Sequence, residues 1–117
     1  MSVPLPDPAE LARAIRNIPD FPKPGIQFKD ITPLLADARL FAGALEHMTA
    51  RCTPGQVDAV VGVDARGFIF AAAAALKLRA GFVPVRKKDK LPWHTIEESY
   101  ALEYGANTVA IHADALR

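Results

Sequence analysis

One stretch constrains the fold of this chain more than any other: Asp58 to Leu78, DAVVGVDARGFIFAAAAALKL. Ala59–Val63 is a short apolar run rich in β-branched residues, which predicts a buried strand. Phe68–Leu78 is an almost uninterrupted apolar helix candidate, and Asp64-Ala65-Arg66-Gly67 is the tight, charged turn between them. A strand running straight into a helix puts that turn at the carboxyl edge of a sheet. There the first helical N–H groups lack partners, and open α/β sheets bind ligands at that edge. Arg66 beside those groups makes an anion site. Phe68, Ile69, Phe70, Leu76 and Leu78 leave the helix no polar face before Lys77, so more chain or a partner subunit is expected to cover it.

The remaining segments are read by what they add to this turn. Asp7-Pro8-Ala9-Glu10 is a helix start with an N-cap acceptor, a first-position proline and a capping-box glutamate. Leu11, Ile15 and Ile18 fall on one face of the predicted helix, which Pro19, Pro22 and Pro24 end. Gly25–Pro33 reads as a loop carrying Phe28, for which a core position and a functional one are equally open. Asp37 caps a second helix with the stripe Leu40, Phe41, Leu45 and Met48, finishing near Cys52; His47 lies off the stripe, facing solvent. Cys52 is the sole cysteine, which excludes an internal disulfide, fits a reducing cytoplasm and reads as a small core residue.

Gly81–Val85 is a second strand, parallel to the first, that runs out into Arg86-Lys87-Lys88-Asp89-Lys90. Such a run is most often a solvated strand end. Here it leaves on the same sheet edge as Arg66, and the convergence favours a phosphate or diphosphate site. Leu91–His94 reads as a mobile loop, and alternation through Tyr100, Leu102 and Tyr104, then Val109 and Ile111, predicts a hairpin turning at Gly105–Asn107. Glu103 and Tyr104 fall on its tip side. The net charge of +1 argues against a general nucleic-acid or membrane-surface role. Met1–Pro8 lacks the basic start and apolar run of a signal peptide. No Cys/His spacing suggests a protein-held metal, and no Walker loop, nucleophile elbow or CxxC occurs. With 50% hydrophobic and 23% charged residues, the 117 residues suit one soluble α/β domain, 1–117, whose first 35 residues form an amino-terminal segment.

Four segments, in order and suitably spaced, resemble the adenine phosphoribosyltransferase family: DFPKPGIQFKDITPLL (20–35), VVGVDARGFIF (60–70), VPVRKKDKLP (83–92) and SYALEYG (99–105). The resemblance implies a type I phosphoribosyltransferase fold: a partial parallel sheet flanked by helices, with a β-hairpin and a flexible loop. It implies the reaction of adenine with phosphoribosyl diphosphate to give AMP and diphosphate, with Mg²⁺ bound along with the diphosphate substrate. It further implies a cytoplasmic homodimer of purine salvage. By the same resemblance residues 1–35 hold the base hood. Phe28 would stack on adenine, Gln27 and Lys29 would offer backbone groups to the purine edge, and Arg66 would hold the diphosphate in a turn with a cis Asp64–Ala65 peptide. Arg86, Lys87 and Lys90 would meet the diphosphate, partly across the dimer interface. Glu103 would handle the proton on the imidazole side of adenine, and Tyr104 would order a closing loop running from Lys87 to about Glu98.

The family's acid pair and small-residue loop, of the type D-D-x-x-A-T-G-G-T, do not occur in these 117 residues. That element holds the ribose hydroxyls and the 5′-phosphate. The expectation is a carboxyl-terminally truncated enzyme that turns over very slowly or not at all. The alternatives are a non-catalytic purine- or nucleotide-binding relative and an inactive fragment.

Overall fold

The computed structural model describes residues 4–102 and 105–116. The chain divides into two compact units, 1–51 and 52–117.

In the first unit, α1 (Pro8–Arg13) starts as its sequence dictates: Asp7 Oδ1 accepts from the Glu10 N–H at 2.8 Å. It is shorter than expected. Ala14 and Ile15 bond back to Leu11 and Ala12, and the chain then enters a strand, β1 (Arg16–Ile18). Ile15 and Ile18 therefore do not extend the helical face. The reason is cross-strand: Arg16–Ile18 pairs antiparallel with β2 (Phe28–Asp30), a segment that reads as loop in the sequence. A β-branched residue loses little in such a ribbon, and the pairing overrides a weak helical preference. The connection is pinned by Asp20 Oδ1 accepting from the Gly25 N–H at 2.9 Å and by Phe21 N–H donating to the Ile26 carbonyl at 3.1 Å. Gly25 takes φ +89°, a conformation suited to glycine.

Asp30 then closes a turn onto α2 (Thr32–Ala36), accepting from both the N–H (2.9 Å) and the hydroxyl (2.7 Å) of Thr32. Asp37 caps α3 (Ala38–Met48), accepting from Leu40 N–H at 3.0 Å. The buried positions of α3 are Gly43 and Ala44, while Met48 is exposed. Gly43 is the notch into which Pro6 packs: a Cβ there would stand 2.1 Å from Pro6 Cγ. His47, expected to face solvent, is exposed yet tied to the Pro6 carbonyl through Nε2 at 2.7 Å. Glu10 and Arg39 add a bidentate ion pair at 2.6 and 3.0 Å.

In the second unit, β3 (Ala59–Val63) runs into α4 (Arg66–Leu78), which returns the chain to β4 (Gly81–Lys87), parallel to β3 with Val63 opposite Val85. Gly62 permits the close packing of helix on strand, since a Cβ there would lie 2.6 Å from Ala71 Cβ and 3.1 Å from the Gly67 carbonyl. The helix ends on Arg79 in the left-handed conformation (φ 57°). β5 (Thr95–Leu102) and β6 (Gly105–His112) form the hairpin, and β6 joins the sheet beside β4, giving the order β3-β4-β6-β5. Leu102 pairs with Gly105, so Gly105–Asn107 belongs to β6 and not to the turn. β4 likewise extends through Arg86 and Lys87, because β6 supplies them with partners in Ala110 and Val109.

The expectation that β3 is a buried strand fails. Val61 and Val63 are 46% and 53% exposed, so β3 is covered on one face only. The outer stripe of α4, Ile69, Ala72 and Leu76, is also exposed. Among the described residues α4 is the one helix of this unit, and it cannot cover both sheet faces. Cys52, expected in the core, is exposed and lies beyond the end of α3.

Candidate active site

The first unit presents an aromatic hollow. β2 alternates its side chains, so Phe28 and Asp30 share a face while Lys29 lies on the other. Phe28 is half-buried opposite Ile18, and Phe21 meets it edge-to-face with ring centroids 5.1 Å apart at 74°. Ile18, Phe21, Phe28 and Asp30 line an open hollow of about 240 Å³. A flat apolar ring beside a fixed carboxylate suits a planar, hydrogen-bonding ligand. Asp30 is kept ionised: the Thr32 hydroxyl, then the Thr32 N–H, hold its pKa below the usual carboxylate value, with Arg16 3.7 Å away. Lys29 donates through Nζ to Asn17 Oδ1, and its backbone sits in the ladder opposite Asn17. Gln27 is exposed immediately before β2.

The second unit presents a cationic edge. Arg66 opens α4, one residue past a cis Asp64–Ala65 peptide, at the carboxyl end of β3. Arg86 lies at the carboxyl end of the adjacent parallel strand. Asp64 links them. Its N–H continues the ladder to the Val85 carbonyl at 2.9 Å, and its carboxylate accepts from Arg86 Nε at 3.1 Å. Arg86 Nη1 donates in turn to the Lys90 carbonyl at 3.2 Å, while the Lys90 N–H donates to Lys87 at 3.1 Å. Thus Arg66, Arg86, Lys87 and Lys90 share one edge, with Lys87 and Lys90 exposed. Arg86 and Lys87, as successive strand residues, leave β4 on opposite faces. The arrangement can hold a polyanion through guanidinium and ammonium groups at a helix start.

Glu103 and Tyr104 lie outside the described residues. Of the expected closing segment from Lys87 to Glu98, only residues 88–94 form a connection; Thr95–Glu98 is paired with β6 from His112 to Val109. Two contributors escape the sequence reading. Phe21 is invisible as a partner of Phe28 because the turn that joins them is set by Asp20 and Gly25. Asp64 shows only its charge in the string DARG, and its bond to a residue on the next strand follows from parallel pairing.

No protein-family model matches the sequence. Individual proteins do. The chain is 56% identical over 116 residues to the adenine phosphoribosyltransferase of Acidothermus cellulolyticus, covering 98% of this chain and 66% of that protein. It is also 56% identical to that of Herpetosiphon aurantiacus over 92% of this chain and 63% of that protein. The crystal structure of the Rhodothermus marinus adenine phosphoribosyltransferase superposes with a TM-score of 0.86 at 50% identity, covering 93% of this chain and 62% of that one.

This chain belongs to the adenine phosphoribosyltransferase family.

The Saccharomyces cerevisiae adenine phosphoribosyltransferase, solved in complex with an imino-altritol bisphosphate and adenine, is similar at 36% identity and a TM-score of 0.83. The chain spans about three fifths to two thirds of the length of these relatives. Among the described residues no helix is long and apolar enough to cross a membrane, and no three His, Cys, Asp or Glu side chains cluster to hold a metal.

Proposed function

We propose that this chain carries the base-binding and diphosphate-binding elements for the conversion of adenine and phosphoribosyl diphosphate to AMP and diphosphate. The observation that carries the reading is the cationic edge, where the Arg66 turn and Arg86 are tied together by Asp64 in a chain of this family. The first unit takes adenine, with Phe28 stacking on the ring and backbone groups of Gln27 and Lys29 meeting the purine edge. The second takes the diphosphate at Arg66, Arg86, Lys87 and Lys90.

Breaking the bond from the anomeric carbon to diphosphate builds positive charge on the ribose and negative charge on the leaving group. Fixed cations at the diphosphate stabilise that separation more than they stabilise the bound substrate. Glu103 receives the proton that adenine loses as its imidazole nitrogen attacks the anomeric carbon, and Tyr104 helps to order the closing loop. Asp64 at this edge is engaged by Arg86. Mg²⁺ would arrive as part of the substrate, chelated by the diphosphate oxygens. The working state is a cytoplasmic homodimer in which some of the cations serve across the interface.

The test is AMP formation from labelled adenine, phosphoribosyl diphosphate and Mg²⁺. These 117 residues contain no D-D-x-x-A-T-G-G-T element to hold the ribose phosphate. The expected result is turnover far below that of a full-length relative, with Arg66→Ala removing what remains. Turnover equal to a full-length relative would contradict the proposal that this element is needed, and residual turnover unchanged in Arg66→Ala would contradict the assignment of the diphosphate edge.

A further inference from the structure

We infer that Asp64 is a positioning residue for diphosphate recognition: it fixes the guanidinium of Arg86 so that the remaining face of the fork meets the anion. The inference rests on the diphosphate reading of this edge. An acidic side chain two residues from Arg66 is at first sight a liability, because it repels a polyanion. The geometry gives it the opposite role. Asp64 is largely buried, with 17% of its side chain exposed, and its Oδ2 takes the Nε–H of Arg86 at 3.1 Å. The Lys90 carbonyl takes one Nη1–H at 3.2 Å. Nε–H and Nη1 lie on opposite sides of the side-chain stem, so the two contacts hold the guanidinium plane from both sides, and the Nη2 donors at the far end take part in neither. A planar guanidinium held at two separated donors presents Nη2 in a fixed direction, where it can donate to phosphate oxygens.

The same contacts splice three segments. The Asp64 N–H bonds to Val85, the residue before Arg86, and Arg86 bonds to the turn that carries Lys90. Asp64 thereby couples the turn after β3 to the cationic turn after β4. Arg86 also forfeits less rotamer freedom on binding than a solvated arginine would.

The experiment is calorimetric titration of the 117-residue chain with inorganic diphosphate, at low and moderate salt, for the wild type, Arg66→Ala, Asp64→Asn, Arg86→Lys and the Asp64→Asn/Arg86→Lys double variant. Arg66→Ala tests the underlying reading: if the wild type does not bind, or Arg66→Ala binds as well, that reading falls and this inference falls with it. Given binding that depends on Arg66, Asp64→Asn is expected to bind diphosphate about tenfold more weakly although it removes a negative charge. Arg86→Lys keeps its charge but cannot span both contacts, and is expected to lose a similar factor. The double variant should be no weaker than either single one, because both changes break the same link. Tighter binding by Asp64→Asn would show that Asp64 acts only by repulsion and would overturn the inference. Additive losses in the double variant, the signature of a merely structural Asp64, would overturn it too. Should Asp64→Asn fail to fold, Arg86→Lys decides alone, and unchanged affinity there refutes the positioning role.

Discussion

In the proposed reading, Phe28 is the residue on which base recognition turns. Ile18 stands opposite it in the ladder, Phe21 meets it edge-to-face, and it lines the open hollow of the first unit. Stacking of a base on an aromatic side chain contributes about 1–3 kcal/mol. Phe28→Ala is therefore expected to weaken adenine binding by about 5- to 150-fold, with Phe28→Tyr retaining most of it, as read by equilibrium titration. Asp30 is a residue-scale question of a different kind. Its folded-state pKa is depressed, chiefly by the Thr32 hydroxyl, and that of Glu10 is depressed, chiefly by its hydrogen bonds from Arg39. A depressed carboxylate stabilises the fold above its unfolded pKa and loses that contribution as pH falls through the folded value. Stability should thus decline in acid, below the ordinary carboxylate range. The Glu10→Gln/Asp30→Asn double variant should show a flatter acid limb in urea unfolding midpoints measured between pH 6 and pH 3. An acid limb identical to the wild type would show that neither group contributes.

At the scale of elements, the strand, turn and helix of residues 59–78 were legible because each part is locally consistent: β-branched residues, then a charged turn, then alanine-rich helix. Parallel β4 and the hairpin were legible by the same local consistency. The ribbon of β1 and β2 was not, since three residues on each side carry too little periodicity and the pairing is tertiary. The extension of β4 through Lys87 was missed for the same reason, its cause being β6, over twenty residues on. Close approach at two glycines was equally silent in the sequence, and each gives an element-scale prediction. Gly62→Ala would drive a methyl between Ala71 and the Gly67 carbonyl, prising α4 from β3. Gly43→Ala would displace Pro6 from α3. Overpacking of this kind costs about 1–3 kcal/mol. Both variants should unfold at lower urea, and an unchanged midpoint in Gly62→Ala would contradict the packing of helix on strand.

For the molecule as a whole, four sequence segments and the fold agree on the family, while the chain spans about three fifths to two thirds of its relatives' length. The candidate residues legible in the sequence were those carrying charge or an aromatic ring in a recognisable string. Their supports, Phe21 and Asp64, were not, because what they do depends on which segment packs beside them. The account's central claim is that these 117 residues already hold an adenine-selective base site and a diphosphate site. It is tested most directly by titrating the chain with adenine, and separately with hypoxanthine, in the presence of Mg²⁺ and diphosphate. Saturable adenine binding, weaker for hypoxanthine and reduced in Phe28→Ala, is the result the account requires. No binding of adenine, or equal binding of the two purines unaffected by Phe28→Ala, would contradict it.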